Sequence, residues 1–151
     1  NDIVTNRKLY YPACPNPTCK FKGLQMIEDG SYICEKCQKI IHNPSYKYMF
    51  TIKVQDFSGS TYMNILCDDQ IGKLITGMTA HEWHDKTEHL SEIQIRSIIQ
   101  SNFFNILKVV SRIKNDNFNG KNNIKINIVS ANYLDFKEGA KFYADEINKF
   151  D

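Results

Sequence analysis

The chain of 151 residues is long enough for one domain with a substantial core and a small insert, and its 42% hydrophobic and 12% aromatic content fits a folded protein. A net charge of only +2 excludes a global basic field, so any nucleic-acid site must come from local clustering of cations. The sequence has no apolar run long enough to span a bilayer and no signal peptide at its start, and the abrupt start leads us to expect a piece of a longer protein.

The first part of the chain reads as the end of a strand that enters a cysteine-rich segment. Cys14 and Cys19 form a C-x4-C pair, and Cys34 and Cys37 form a C-x2-C pair further along. Four thiolates at this spacing can close a tetrahedral Zn²⁺ site that leaves no open coordination position. The sequence therefore predicts a structural zinc ribbon over residues 12–42, with a small hairpin between the two pairs.

The cysteines also bear on redox chemistry. The C-x2-C pair alone would fit a redox motif, but the matching upstream pair favours a metal and, with it, a reducing compartment. Cys67 ends an apolar strand-like run and is expected to be a small buried or half-buried side chain. Because a closed four-cysteine site builds a surface and performs no chemistry, the function must be sought in the rest of the chain.

Alternation after the ribbon predicts a β-hairpin. Its first strand has an apolar face made of Tyr48, Phe50, Ile52 and Val54. A turn over residues 56–60 leads to a second strand, in which one face carries Met63 and Ile65. The other face of the second strand carries Tyr62, Asn64 and Leu66.

Helical segments are predicted next. Asp68-Asp69 begins a short helix that Gly77 ends. Ser91 can cap a second helix, which carries Ile93, Ile95, Ile98 and Ile99. Residues 78–90 between them read as irregular and contain His81, His84 and His89. These histidines could form a second metal site or a catalytic pair, but a surface or hydrogen-bonded role is favoured because no helical context aligns them.

The last third of the chain predicts a hairpin and a helix. A long strand over residues 104–114 and a return strand over 124–129 flank a very polar loop over 115–123. The side chains predicted to face inward are Leu107, Val109, Ile113, Ile124, Ile126 and Ile128. The final helix has an apolar seam made of Phe136, Ala140, Tyr143, Ile147 and Phe150.

This order of elements predicts a mainly β protein, a five-stranded OB-fold barrel with an inserted four-cysteine zinc ribbon and a C-terminal α-helix. Short antiparallel strands with a helix between the third and the fourth are typical of that barrel. We expect a single domain over residues 1–151, with the ribbon over 12–42 and a partner helix over 136–150. The alternative for the helix is that it packs on its own barrel.

Cations and two aromatic residues indicate a nucleic-acid site. The cations occupy outward strand positions or the polar loop, and they are Lys53, Lys108, Arg112, Lys114, Lys121 and Lys125. Tyr62 also occupies an outward strand position, and Phe118 is an isolated apolar residue in the loop. Such a surface can hold phosphates on cations and bases on rings. The alternative is an ordinary solvated strand face, with Phe118 folded back onto the barrel.

Several motifs resemble the C-terminal DNA-binding domain of the replication protein A large subunit. They are Ala13-Cys14-Pro15 through Cys19, Tyr32-x-Cys34-Glu35-Lys36-Cys37, Tyr46-Lys47-Tyr48, the strand ending at Asp56-Phe57, Gly77 after the short helix, the Asn102-Phe103 entry to the next strand, and the final helix. The resemblance covers nearly the whole chain. Its motifs are specific, because a zinc ribbon inserted into an OB barrel is unusual.

The resemblance implies single-stranded DNA binding in the nucleus, and a junction of three helices that joins the final helix to two smaller OB subunits. It places base stacking at Tyr62 and at Phe118. The sequence departs from the family at Leu66, where an aromatic residue is common, and at its start, where most of the first barrel strand is missing. A telomerase-associated paralogue of the subunit would prefer G-rich telomeric repeats, whereas a general replication and repair protein would not.

Two rival functions follow from the same sequence. The chain could be an assembly module whose final helix recruits smaller OB subunits while the sheet binds little DNA of its own. It could instead be a zinc-dependent enzyme such as a nuclease, but the closed set of four cysteines disfavours this. The sequence shows no Ser/His/Asp pattern, phosphate-binding glycine loop or paired-carboxylate motif, so we expect no catalysis.

Overall fold

The computed structural model describes residues 8–101, 106–118 and 120–149, apart from the side chains of Phe118, Phe136 and Phe142. Its strands are β1 (Tyr10–Ala13), β2 (Gln25–Met26), β3 (Tyr32–Cys34), β4 (Lys39–Ile41), β5 (Ser45–Gln55), β6 (Ser60–Leu66), β7 (Leu107–Phe118) and β8 (Lys121–Tyr133). Its helices are α1 (Asp69–Thr76), α2 (Ala80–Thr87), α3 (Glu92–Ser101) and α4 (Phe136–Ile147). No helix in these ranges is both long and apolar enough to cross a membrane.

Five strands form one sheet in the order β1-β5-β6-β8-β7. Neighbours are antiparallel except β6 and β8, which run parallel where Asn64 lies opposite Asn127. The last strand thus lies between the third and the fourth, as in an OB fold, and the predicted fold class is confirmed. Within the described residues β7 does not pair with β1, so the sheet is open at the position where a closed barrel would join them.

The ribbon is a separate three-stranded sheet in the order β2-β3-β4, inserted between β1 and β5. It is tied to β1 by backbone hydrogen bonds, in which Cys14 N–H donates to the Lys22 carbonyl and Leu24 N–H to the Pro12 carbonyl. The first strand of the large sheet is therefore present as the four residues of β1, and the ribbon begins directly after it.

The core lies between the inner face of the large sheet and the helices that follow β6. Tyr48, Phe50 and Ile52 from β5 are buried there with Ile65 from β6, which confirms the predicted inner faces of the first hairpin. The helices contribute the buried side chains of Ile71, Ile75, Trp83 and Ile99. The Tyr48 hydroxyl is 2.8 Å from the Thr76 hydroxyl and donates to the Met78 carbonyl at 2.9 Å, so its polar end is satisfied inside the core.

The prediction that residues 78–90 are irregular is wrong, because α2 occupies most of this segment. Thr79 and Glu82 form a capping box, in which each side chain accepts a hydrogen bond from the other's backbone N–H. Burial of Ala80, Trp83 and Thr87 gives the helix a core-facing side. α1 and α3 agree with their predicted positions, although Ile93 in α3 is 81% exposed and does not join the core.

The prediction of a polar loop over residues 115–123 is also wrong. β7 continues to Phe118 and β8 begins at Lys121, and these two residues are paired with each other. Asparagine and aspartate are poor strand formers, but cross-strand pairing overrides this weak preference. Ile113 and Ile124, predicted to face the core, are 65% and 68% exposed because the hairpin extends beyond the core. The predicted first residue of this strand, Phe104, lies outside the described residues.

The glycine of α1 generates a test of the core. A Cβ atom at Gly72 would lie 2.1 Å from Cδ2 of Tyr48, whose ring is fully buried. We expect Gly72→Ala to lower the free energy of unfolding by about 2 kcal/mol despite the higher helix propensity of alanine, because overpacking outweighs it. Urea denaturation would measure this, with Gln70→Ala on the exposed side of α1 as the control. Equal stability of Gly72→Ala and the parent chain would contradict this packing.

Candidate nucleic-acid interface and metal centre

The outer face of the large sheet, the face opposite the core, carries most of the predicted DNA contacts. Lys53 on β5 lies directly opposite Tyr62 on β6. The Tyr62 ring is 55% exposed, which leaves much of it accessible to a ligand. Strand alternation places both side chains on the same side of the sheet as Asn64 and Leu66.

A chain of polar side chains connects this pair to the other hairpin. The Thr51 hydroxyl donates to Asn64 Oδ1 at 2.8 Å, and Asn64 Nδ2 donates to Asn127 Oδ1 at 3.2 Å. Asn127 lies opposite Arg112 in the β7–β8 pair. These hydrogen bonds run across β5, β6 and β8, so the first hairpin and the cations of the second share one face.

The second hairpin concentrates positive charge on that face. Lys114 lies directly opposite Lys125, next to the Arg112–Asn127 pair. Like charges placed opposite each other destabilise a sheet. Lys125 is paired with the Asp116 carboxylate, which offsets part of the repulsion. An anion bound over this pair would remove more of it.

The remaining predicted contacts lie at the two ends of the second hairpin. Lys108 pairs with Asn132 near the base of β7, and Lys121 pairs with Phe118 at the turn. Lys108 is four residues from Arg112, about 13 Å along the strand. Phe118 belongs to a strand and not to a loop. The role of its ring in stacking stays a prediction, because the structure does not describe that side chain.

Sequence reasoning missed the role of Thr51, Asn64 and Asn127. The outward position of Asn64 was predicted, but its hydrogen bonds to Thr51 and Asn127 depend on the register between strands, and Asn127 is distant in the chain. It also missed the exposed apolar pair Met49–Leu66, in which the side chains are 52% and 46% exposed. An outward Met and Leu on neighbouring strands were the available signal.

The histidine segment forms a packed cluster on α2. The His84 ring stacks on Tyr46 with 3.9 Å between centroids, and its Nδ1 is 3.1 Å from the Tyr10 hydroxyl. Burial raises the pKa of Tyr46 to about 12, so this ring stays neutral at physiological pH. The preferred hydrogen-bonded role is confirmed for His84. Within the described residues, the one group with metal-ligand geometry is the cysteine cluster.

The four cysteines of the ribbon converge on one point. Their sulfur atoms all lie within 4.8 Å of one another, and Cys37 is half-buried while the other three are buried. The Cys14–Cys37 and Cys19–Cys34 sulfur pairs are both 3.9 Å apart. A tetrahedral site with Zn–S bonds of about 2.3 Å has sulfurs about 3.8 Å apart. The cluster therefore fits a metal of that size.

The surroundings of the cluster shift the thiol pKa values in both directions. The backbone N–H of Cys37 hydrogen-bonds to Cys34 and lowers the pKa of that thiol to about 7. Burial raises the pKa of Cys19 to about 12. Deprotonation of the buried Cys19 thiol therefore needs a positive neighbour, and a bound divalent cation would supply it. Cys67 is outside this cluster, since its sulfur lies 2.8 Å from the Tyr11 hydroxyl.

Comparison with known sequences gives one consistent family. The family model described as replication factor-A C terminal domain matches residues 2–143. Replication factor A protein 1 of Schizosaccharomyces pombe is 33% identical over 138 residues, covering 91% of this chain and 22% of that protein. The protein of the same name from Saccharomyces cerevisiae is 29% identical over 139 residues, covering 92% of this chain and 22% of that protein. The chain thus spans about a fifth of the length of these relatives.

Solved structures agree with the sequence comparison. The chain superposes on one chain of a replication protein A heterotrimer bound to ssDNA with a TM-score of 0.81 and 26% identity, covering 95% of this chain and 32% of that chain. It superposes on a chain of yeast RPA bound to ssDNA with a TM-score of 0.77 and 24% identity, covering 97% of this chain and 80% of that chain. At its lower identity, the second structure supports the fold alone.

The cysteine cluster generates a test of metal content. We expect one Zn²⁺ per chain, and we expect Cys34→Ser to lose it because the site then has three thiolates and an open position. Cys67→Ser is the matched control and should keep the metal, since its sulfur is outside the cluster. Atomic emission on gel-filtered protein would measure the content. A full equivalent of zinc in Cys34→Ser would contradict the assignment of the ligands.

Proposed function

Because the chain belongs to the replication factor-A C terminal domain family, we propose that it binds single-stranded DNA on the outer face of its large sheet. The observation that carries the proposal is the exposed Tyr62 ring paired with Lys53 on the same face as the opposed cations Lys114 and Lys125. The names of similar proteins support it, since these are replication factor A proteins and structures bound to ssDNA.

Each part of the face has a physical role in this proposal. Tyr62 offers a flat, apolar surface on which any base can stack, and Phe118 is proposed to do the same at the tip of the second hairpin. Lys53, Lys114 and Lys125 attract the phosphates between stacked bases. Phosphates are attractive partners for the Lys114–Lys125 pair, because binding relieves the repulsion between the two ammonium groups. The amides of Asn64 and Asn127 offer donors and acceptors to base edges.

The proposed mechanism is binding without catalysis. Cations at Lys108, Arg112 and Lys121 extend the positive face along the second hairpin and make binding sensitive to salt. Zinc, held by the four cysteines, has a structural role, because a closed tetrahedral site offers no position to a substrate. It holds the ribbon against β1 and so orders one end of the face.

We also propose that α4 is the contact to smaller OB-fold subunits. Ala140, Tyr143 and Ile147 lie along one stripe of the helix, and Tyr143 and Ile147 are 42% and 65% exposed. The Tyr143 ring lies 6.4 Å from that of Phe57 in an edge-on arrangement, which orients the helix at the β5–β6 turn. The heterotrimer among the similar structures supports this role. Phe150, the last residue of the predicted seam, lies outside the described part of the chain.

The proposed setting is the nucleus, in DNA replication and repair or at telomeres through telomerase recruitment. The names of the similar proteins favour replication. The outer face fits either setting, because stacking tolerates every base and amide side chains can add a preference for some. Sequence preference in DNA binding separates the two.

Tyr62 gives the direct test of the binding face. We expect Tyr62→Ala to weaken binding to a single-stranded oligothymidylate by about 1–3 kcal/mol, because one stacking surface is lost, and Phe118→Ala to have a similar effect. Ile93→Ala is the control, since this side chain is 81% exposed on α3, a helix that packs on the core side of the sheet. Fluorescence anisotropy would measure the affinities. Parent-like binding by Tyr62→Ala would remove the ring from the site.

The choice between general and telomeric binding has its own test. Binding to a G-rich telomeric repeat and to its scrambled counterpart should be compared over a salt series. We expect similar affinities for both, with log K falling in proportion to log salt, because stacking and phosphate contacts are insensitive to sequence. A strong preference for the repeat would instead favour the telomeric role. If neither oligonucleotide binds, the chain is an assembly module that acts through α4.

A further inference from the structure

The ribbon carries an exposed aromatic residue on an unusual turn. Lys22 N–H donates to the Cys19 carbonyl at 3.2 Å, and the two residues between them, Lys20 and Phe21, have φ angles of +51° and +58°. Positive φ at both central positions is typical of a type I′ turn, which favours Asn-Gly. A lysine and a phenylalanine are unfavourable in this conformation. An unfavourable residue held in this way suggests a function for its side chain.

The Phe21 ring is held in place but is not buried. It is 46% exposed, and the Lys47 ammonium lies 4.7 Å from its centroid in a cation–π contact. Lys47 is fixed in turn by the Asp69 carboxylate at 3.1 Å. The ring is therefore oriented before any ligand arrives, which reduces the entropy lost on binding.

The turn lies beside the outer face of the large sheet. The Tyr11 hydroxyl donates to the Phe21 carbonyl at 3.1 Å and lies 2.8 Å from the Cys67 sulfur. Cys67 directly follows Leu66, the exposed partner of Met49. One hydroxyl thus joins the ribbon turn to the end of the strand that carries Tyr62. From Tyr62 to Leu66 is about 14 Å along the strand, so one single strand of several nucleotides can reach both ends.

The charges of the turn suit a nucleic-acid strand. Lys20 and Lys22 flank Phe21, and both side chains are exposed. Lys22 is 3.6 Å from the Glu35 carboxylate, with both partners about half exposed, so this ion pair is weak and can exchange for a phosphate. A ring between two cations repeats the chemistry proposed for Tyr62 and its neighbours.

We propose that Phe21 is a further base-stacking position, supplied by the ribbon, which extends the single-strand path past the Met49–Leu66 pair, with Lys20 and Lys22 contacting the adjacent phosphates. This inference rests on the proposed single-stranded DNA binding. It gives the ribbon a direct part in binding, in addition to its support of the sheet. The ligand class is a single strand long enough to reach from Tyr62 to the ribbon.

The test uses Phe21→Gly, because glycine accepts positive φ and removes only the ring. We expect binding to an oligothymidylate of about 16 nucleotides to weaken about 5- to 150-fold, while zinc content and melting temperature stay at or above those of the parent chain. Phe21→Tyr should retain binding. Ile40→Ala, which removes another exposed apolar side chain of the ribbon, is the matched control and should bind as the parent does. Photo-crosslinking with 5-iododeoxyuridine should identify a peptide that contains Phe21.

The outcomes separate this inference from the proposed function. If Tyr62→Ala weakens binding and Phe21→Gly does not, the strand stays on the sheet and the inference is overturned alone. If Phe21→Gly loses zinc or stability together with affinity, the ring is structural and the inference is again overturned. If the parent chain binds no single strand, the proposed function itself is wrong.

Discussion

The outer face exists because two hairpins that are distant in the chain meet at one parallel contact, between Asn64 on β6 and Asn127 on β8. The hydrogen bond between their amides joins the sheet on the outer side, and Ile65 and Ile128 are buried on the inner side next to it. Without this junction, Tyr62 would lie on a three-stranded sheet of β1, β5 and β6, and the cations of β7 and β8 would lie on a separate two-stranded ribbon. Two-stranded ribbons are at best marginally stable in water. The outer face is therefore a product of the tertiary fold and not of either hairpin alone.

Local signals explain which elements were predictable. The first hairpin follows from strict alternation, and α1 follows from Asp68 at its beginning and Gly77 at its end. The tip of the second hairpin was not predictable in this way, because Asn115, Asp116 and Asn117 disfavour strands and are held in one by pairing. α2 was missed although the Thr79–Glu82 spacing was visible, since His81, His84 and the charged residues of the helix leave only a narrow apolar face. Only the tertiary packing shows that Trp83 is the one large side chain that this helix buries.

The candidate site was also predictable only in part. The cysteine pairs could be found from spacing, because each pair lies on its own short turn and the metal requires four thiolates. The outward orientation of Lys53, Tyr62 and Lys125 could be found from the alternation of apolar and polar residues along their strands. The links between these groups could not, because the Tyr11 hydroxyl and the Asn64–Asn127 amides join segments whose register the sequence does not reveal. Residue types were thus predictable, and their convergence on one face was not.

Two features of the chain oppose local stability, and both lie beside the same surface. Lys114 and Lys125 are like charges in a directly opposed pair, and Lys20 and Phe21 occupy left-handed positions that suit Asn-Gly. Sequences that fold well usually agree with their structure at every level, so local conflicts tend to mark functional sites. A polyanion with flat bases would account for both conflicts, because its phosphates neutralise the lysines and its bases stack on the exposed Phe21 ring. The two conflicts lie on different elements, one on the second hairpin and one on the ribbon. A strand that follows the sheet from one to the other is the ligand that would account for both.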